Sequence, residues 1–441
     1  MSAPATALPR ALLALGLGAV LVACADVPAF ECDTDEQCGD GGRCEDDRAC
    51  SFSDDTCHSS RRYGGEGPPD VADRCVGETS GSIEWITAGS DHTCARAGDG
   101  RLWCWGDNTS GNIGREDVGK SGTPAPVGGA ADIIDADGGE YTTCAVAGGD
   151  VLCWGRGSGG QLGDDAMTDR SRPAPVLDVA GAIAVELGEH HGCALTDAGD
   201  VWCWGSNADR EAGQPGPPML KRPMRVPDVP PATAIAAGGQ VGCALTGDEA
   251  WCWGKNGNGQ LGLGDAMQHP RPQRVAGWAG ATSIAVGGDH TCAIMADQSV
   301  RCAGQNDDGQ LGDGTRMDRL APVTVVGLSA VVELVALDWS TCARDAAGEV
   351  RCWGRNDLGQ LGAGSDDRLL PADPIALGRP AVALAGGENH ACALTNDGCA
   401  WCWGSDDKEQ LGDGRGDGDD DGDDDGDDDG DGVRPVLLSC W

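Results

Sequence analysis

A pair of cysteines that returns every 49 or 50 residues constrains this chain more than any other feature. One member of each pair stands at Cys94, Cys144, Cys193, Cys243, Cys292, Cys342 and Cys392, and its companion at Cys104, Cys153, Cys203, Cys252, Cys302, Cys352 and Cys402. A fixed period of this size marks an array of like units, so the 441 residues read as one closed array of seven repeats rather than several unrelated domains. The first copy, AGSDHTCARAGDGRLWCWGDNTSGNIG from Ala88 to Gly114, shows the parts of the unit.

Each part points to β-structure. A β-type segment leads to an Ala-Gly or Gly-Gly turn and the first cysteine. A tight turn follows, then the second cysteine in a segment such as Val201-Trp202-Cys203-Trp204, whose period-two alternation is that of a strand. Next comes a glycine turn, GQLG at 160–163, 259–262, 309–312 and 359–362, and then a proline-containing strand such as Pro175-Val176 or Pro322-Val323. No stretch of comparable length carries helical periodicity.

The one-residue variation in repeat length falls in the turn between the two cysteines. Cys94 and Cys104 are centred on Asp99, and Cys144 and Cys153 on Gly148-Gly149. Both strands therefore keep the same length from turn to cysteine, and the cysteines face each other whichever turn is used. Facing residues of an antiparallel pair have Cα atoms roughly 4.5–5.5 Å apart, inside the range a disulfide spans. The spacing predicts seven cross-strand disulfides, one per repeat.

The first residues explain why so many cysteines are tolerated. Arg10 is the only charge before an apolar run from Ala11 to Val22, and Leu21-Val22-Ala23-Cys24 follows directly. The run is short for a membrane span and reads as an export signal over residues 1–23. Leu-Val-Ala-Cys resembles the bacterial lipoprotein box, which implies acylation of Cys24 and a tether over 24–31; the alternative is an ordinary signal peptide with an incidental cysteine. Either places the mature chain in an oxidising compartment, where paired cysteines form disulfides. The lipoprotein reading puts the chain on the bacterial cell envelope, at the outer membrane or cell surface in preference to the inner membrane.

Between residues 32 and 77 the texture changes. Cys32, Cys38, Cys44, Cys50, Cys57 and Cys75 sit among Asp, Gly, Ser and Arg, with too few apolar residues for a core. This reads as a small module held by three disulfides of unassigned connectivity; zinc is the alternative, but the spacing has no CxxC knuckle. Residues 78–441 hold the repeats. Of the 23 cysteines, Cys399 and the penultimate Cys440 remain, and a bond between them would tie the chain's end to the seventh repeat.

The recurring A-G-x-x-H-T-C-A, C-W-G-x-N and G-Q-L-G-D-G elements, seven times over residues 83 to 438, resemble the regulator of chromosome condensation repeat. The resemblance implies an all-β, seven-bladed β-propeller with four-stranded blades, here following the disulfide-rich N-terminal module. It also brings guanine-nucleotide exchange as a family activity. Exchange requires a cytosolic or nuclear GTPase and, on chromatin, a basic surface; an exported, cross-linked chain of net charge −40 fits neither.

Two local motifs resemble nucleotide sites and fail on context. Gly114 to Ser121 satisfies GxxxxGK[ST], but Gly114 closes a repeat turn and Gly122-Thr123-Pro124 blocks the helix that a phosphate loop needs. Gly155 to Gly160 fits GxGxxG and runs into the next repeat turn. His92, His191, His290 and His390 each lie two residues before a repeat's first cysteine; being on separate blades, they read as bonding a turn within their own blade rather than as a metal ring. The Trp pairs, such as Trp103 with Trp105, flank a cysteine and read as packing between blades. An acidic insertion at 417–432 begins Asp417-Gly418-Asp419-Asp420-Asp421-Gly422, which mimics a calcium loop but carries Asp428 where glutamate is needed and lacks flanking helices. Weak calcium binding through Asp417, Asp419 and Asp421 and a merely solvated loop both stand; no other cofactor is expected. In the third repeat, Glu211-Ala212-Gly213-Gln214 replaces GQLG and an irregular loop brings Lys221, Arg222 and Arg225, a candidate partner contact.

The expectation is a lipid-anchored, monomeric, non-catalytic propeller that binds a protein or other envelope macromolecule. It meets no nucleic acid, and the membrane only through its anchor. An inhibitor capping an enzyme would instead show an exposed aromatic cluster on one face, and a calcium-dependent enzyme would show carboxylates converging on the axis.

Overall fold

The computed structural model describes residues 83–414 except 99, 117–118 and 365, together with the backbone of residues 43–44, 50–53, 61–63 and 434–435. The chain divides into two units, Met1–Glu78 and Thr79–Trp441. In the first, Arg43–Cys44, Cys50–Ser53 and Arg61–Tyr63 form a three-stranded antiparallel sheet with Cys44 opposite Cys50. Cys24 and the side chains of the six-cysteine module lie outside the described residues.

The second unit is a seven-bladed β-propeller, in which each blade is an antiparallel meander cut from one repeat. The first blade comprises Ile83–Ala88, His92–Ala97, Leu102–Asp107 and Lys120–Pro126. The first strands of successive blades contact one another all the way round, the seventh blade's Ala381–Gly386 meeting Ile83–Ala88, so these strands line the axis. The last blade takes its outer strand, Arg434–Pro435, from beyond the acidic insertion.

The sixth blade departs from the four-stranded plan. It has three strands, Val331–Ala336, Ser340–Asp345 and Val350–Gly354. Pro371 and Pro374 contribute no N–H to an outer ladder. Instead Arg368 bridges Gly354, while the N–H groups of Ala372 and Ile375 donate to the carbonyls of Cys352 and Val350 at 3.0 and 2.8 Å. The sheet edge is thus satisfied without a regular strand.

All seven cysteine pairs in the blades are bonded, from Cys94–Cys104 to Cys392–Cys402, with Cα atoms 4.1–4.2 Å apart. The members of each pair are register partners, whether they are nine or ten positions apart in the sequence. Period-two alternation then sends the disulfide to one face of the sheet and the flanking tryptophans to the other. The core is correspondingly divided into seven clusters, one per blade interface. In one, Cys94 and Cys104 of the first blade pack with Trp154 of the second; in another, Cys392 and Cys402 of the seventh pack with Trp103 and Trp105 of the first. With so few Phe and Tyr in the chain, the indoles are the large side chains of these clusters, packed with the disulfides and with Ala, Val, Leu and Ile.

Candidate functional site

The seams between blades explain much of the repeat's sequence. The buried indole after the second cysteine donates its Nε1–H to the carbonyl of the glycine-turn residue in the preceding blade: Trp154 to Asn112, Trp204 to Gln161, Trp253 to Glu211, Trp353 to Gln310, Trp403 to Gln360 and Trp105 to Gln410, at 2.6–3.0 Å. The last glycine of the turn lies under the same indole. At Gly412, with φ of 71°, a Cβ would sit 2.4 Å from Nε1 of Trp105, so both backbone and packing require glycine there.

The histidines do not bond within their own blades, as the sequence reading held. His92 Nε2 meets Thr143 Oγ1 at 2.7 Å, His290 meets Thr341 at 2.8 Å and His390 meets Thr93 at 2.8 Å, each on the following blade. Those threonines donate in turn to the carbonyls of Asn112, Gln310 and Gln410. The imidazole lies over the glycine three residues earlier, so close that a Cβ on Gly89 would sit 2.2 Å from His92 Cε1; A-G-x-x-H is thus a steric unit. Burial holds His92, His191 and His290 down to about 4 and His390 to about 3, and all four are neutral at physiological pH.

The first strands enclose an axial channel of about 750 Å³ lined by all seven blades. Asp135, Asp137, Glu186 and Glu333 stand on its wall. Three of them bind the next blade's inner strand. Asp135 accepts from Val185 N at 2.8 Å, Asp137 from Leu187 N at 2.7 Å and Thr87 Oγ1 at 3.0 Å, and Glu333 from Leu384 N at 3.1 Å and Arg344 Nε at 2.7 Å. Glu186 has no hydrogen-bond partner among the described residues. Burial pushes Asp135 up to about 6 and Asp137 up to about 7, and burial together with Asp137 and Asp135 raises Glu186 well above the ordinary carboxyl range.

One mouth of the channel is formed by the turns that follow the first strands, and it is acidic. Glu140, Glu189, Asp338 and Glu388 occupy one position of the turn in four blades. Burial and the charges of Glu388 and Glu189 push Asp338 up to about 7, and burial and Glu388 push Asp91 up to about 6. Two cations near this mouth are paired: His190 Nδ1 lies 2.9 Å from Glu140 and Lys255 Nζ 3.0 Å from Asp289. The bond to Glu140 raises His190 to about 9, and His190 more than offsets the burial that would push Glu140 up.

The residues singled out in the sequence do not converge on this channel. Lys221, Arg222 and Arg225 lie on the outer strand of the third blade, Met219–Arg225, whose register shifts between Leu220 and Met224, rather than on an irregular loop. Arg222 is paired with Asp178 and Arg225 with Asp200, each at 2.6–3.0 Å, so the expected basic patch is largely neutralised. Lys120 and Ser121 begin the first blade's outer strand, where a phosphate loop would need a helix. Asp417, Asp419, Asp421 and Cys440 lie outside the described residues, and with them the Cys399–Cys440 bond. Among the described residues no three His, Cys, Asp or Glu side chains are placed to hold a metal ion. Sequence reasoning passed over Asp135, Asp137 and Glu186. Their signal was present: Ile133-Ile134-Asp135-Ala136-Asp137 and Val185-Glu186, like Glu333, put charge into inner strands where other repeats carry uncharged residues such as Trp85, Thr87, Ala184, Ser283, Ala285 and Val335.

Two profiles of the Regulator of chromosome condensation (RCC1) repeat match the sequence, one at residues 148–195, 248–294 and 347–394, the other at 86–112, 182–211, 281–310 and 381–410. No curated protein matches. Among solved structures, human WBSCR16 is similar at TM-score 0.66 and 21% identity, over 72% of this chain and 88% of that one. Yeast RCC1 (Prp20), solved with Kap60 bound, is similar at TM-score 0.65 and 20% identity, over 76% and 82%. Prp20p from Saccharomyces cerevisiae, described with its binding properties to Gsp1p and histones, is similar at TM-score 0.63 and 18% identity, over 82% and 88%.

Proposed function

The chain belongs to the regulator of chromosome condensation repeat family, and from that premise we propose that it is a non-catalytic scaffold of the bacterial cell envelope, exported, monomeric and acylated at Cys24. Its propeller holds another protein at the acidic mouth of the axial channel. The observation that carries this reading is the ring of Glu140, Glu189, Asp338 and Glu388 around an open channel, with a net charge of −40 behind it. Such a field recruits a basic protein surface and repels nucleic acid. Seven formed disulfides support an oxidising compartment. Proteins of this fold bind other proteins: yeast RCC1 (Prp20) was solved with Kap60 bound, and Prp20p is described with binding properties to Gsp1p and histones; export and acidity argue against carrying the exchange activity over.

Carboxylates do converge on the axis, which was the mark set for a calcium-dependent enzyme. Asp135, Asp137 and Glu333 are occupied by backbone N–H groups of the neighbouring blade, and burial holds Asp135 and Asp137 partly protonated near neutrality. They act as staples between inner strands rather than as a ligand set, and the scaffold reading stands. The inhibitor reading lacks its mark, since no Trp, Tyr or Phe is exposed among the described residues. Calcium, where it is taken up, is held loosely by Asp417, Asp419 and Asp421. The test is affinity capture from cell-envelope extract with the soluble protein, with and without calcium. The reading expects a calcium-independent protein partner that the Glu140→Gln, Glu189→Gln, Glu388→Gln variant fails to retain. Capture only with calcium, or capture indifferent to that variant, would overturn it.

A further inference from the structure

The seven seams are not equally bonded. At six of them a buried indole donates to the glycine-turn carbonyl of the preceding blade, and at three of those a His–Thr relay joins it. The seam between the fourth and fifth blades has neither. Its carbonyl, that of Gln260, receives no side-chain donor among the described residues. Ala303 stands where the indole belongs, and Val241 where the histidine belongs, leaving the buried hydroxyl of Thr291 without a partner. Trp278, from the segment between these blades, fills the vacated space against Gly262, but its indole N–H has no acceptor.

By contrast, the seam where the ring closes is among the most heavily tied. His390, Thr93 and Trp105 all engage there, and Lys120 reaches Glu409 at 3.6 Å. Ordinarily a ring made from one chain would open at its closing seam, since nothing covalent holds it.

We propose that the propeller instead opens below its global unfolding transition between the fourth and fifth blades, and that Asp289 is the latch of this seam. Asp289, on the fifth blade's turn, receives Gln260 Nε2 at 2.6 Å and Lys255 Nζ at 3.0 Å, both from the fourth blade. Lys255 is itself oriented by Gln240 Oε1 at 2.9 Å. The side chains of Lys255 and Asp289 are 34% and 19% exposed, so this bond, unlike the buried relays, is within reach of solvent and salt. A latch of partly exposed charge thus stands in for a buried hydrogen bond, and local opening follows the seam with the least buried bonding.

Hydrogen exchange with mass spectrometry on the full, disulfide-intact chain under native conditions tests this. The strand Ala281–Val286 is expected to exchange about tenfold faster than the equivalent Val331–Ala336, and Asp289→Asn to widen the difference. For a readout that needs no variant, the wild-type chain at about 0.5 M salt should lose protection at Ala281–Val286 before other inner strands. Opening first at Ile83–Ala88 and Ala381–Gly386, or uniform exchange around the ring insensitive to salt, overturns the proposal.

Discussion

Replacing Trp278 with alanine and then restoring the indole at position 303 distinguishes a relocated tryptophan from an incidental one. Trp278 is fully buried in the cluster formed by Cys243, Cys252, Leu261, Val275 and Ala303, the place that Trp204 or Trp353 occupies at its own seam. Truncating a buried tryptophan costs about 3–5 kcal/mol. No hydrogen-bond loss adds to this, because its Nε1 has no partner. Trp353→Ala should cost about 1 kcal/mol more, since it also forfeits the bond to Gln310. For a unit the size of Thr79–Trp441, about 4 kcal/mol corresponds to a fall in Tm of about 5 °C. Ala303→Trp alone overpacks the seam and costs about 1–3 kcal/mol. In the double variant the new indole has both the emptied space and the unused Gln260 carbonyl, so most of the loss is regained. Calorimetry of the four proteins closes the cycle. If the double variant melts no higher than Trp278→Ala, Trp278 is not a substitute for the missing repeat residue and the reasoning fails.

Other perturbations test the remaining contacts. Glu186→Gln removes a carboxyl whose ionisation is disfavoured by burial and by Asp137 and Asp135, without losing a hydrogen bond. Because the folded pKa values of Asp135 and Asp137 are raised to about 6 and 7, the stability present below the unfolded value of about 3.9 is lost as pH rises from there through the folded values. The variant should therefore gain about 1 kcal/mol at pH 8 and nothing near pH 4, as read from Tm against pH. The buried histidines have the opposite sign: their folded pKa lies below the unfolded value, so stability is full above about pH 6.5 and is lost as pH falls toward 4. His290→Gln, which keeps a donor for Thr341, should flatten the acid side of the profile; an unchanged profile would contradict the assignment. Cys144→Ser with Cys153→Ser opens a nine-residue separation and should cost about 2–3 kcal/mol by denaturant titration. A non-reducing peptide map should return the seven blade pairs and a Cys399–Cys440 peptide; absence of the latter would refute that tie.

What the sequence disclosed was whatever depends on one repeat at a time. Cys153 faces Cys144 because both strands count equally from a local turn, and no distant information is needed. Relations between repeats were less legible. A-G-x-x-H was visible, yet nothing in the period says whether His92 bonds its own turn or Thr143 fifty-one residues on; that depends on which face of the strand the next blade covers. Trp278 was hidden for a related reason, since a compensating residue need not sit at the equivalent position. The acidic channel was legible in principle, as charges breaking apolar inner strands at Asp135, Asp137 and Glu186, but their convergence requires the ring to close. Lys221, Arg222 and Arg225 were visible as a basic run, whereas their partners Asp178 and Asp200 come from separate parts of the repeat.

The central claim is that the acidic mouth is what holds a partner. Its most direct test is the affinity of the partner captured from the envelope, measured by calorimetry against the wild-type chain and the Glu140→Gln, Glu189→Gln, Glu388→Gln variant across a salt series. The account predicts that binding weakens steeply with salt and falls at least about tenfold in the variant, with Tm retained. Equal affinities for the two proteins at every salt concentration would contradict it.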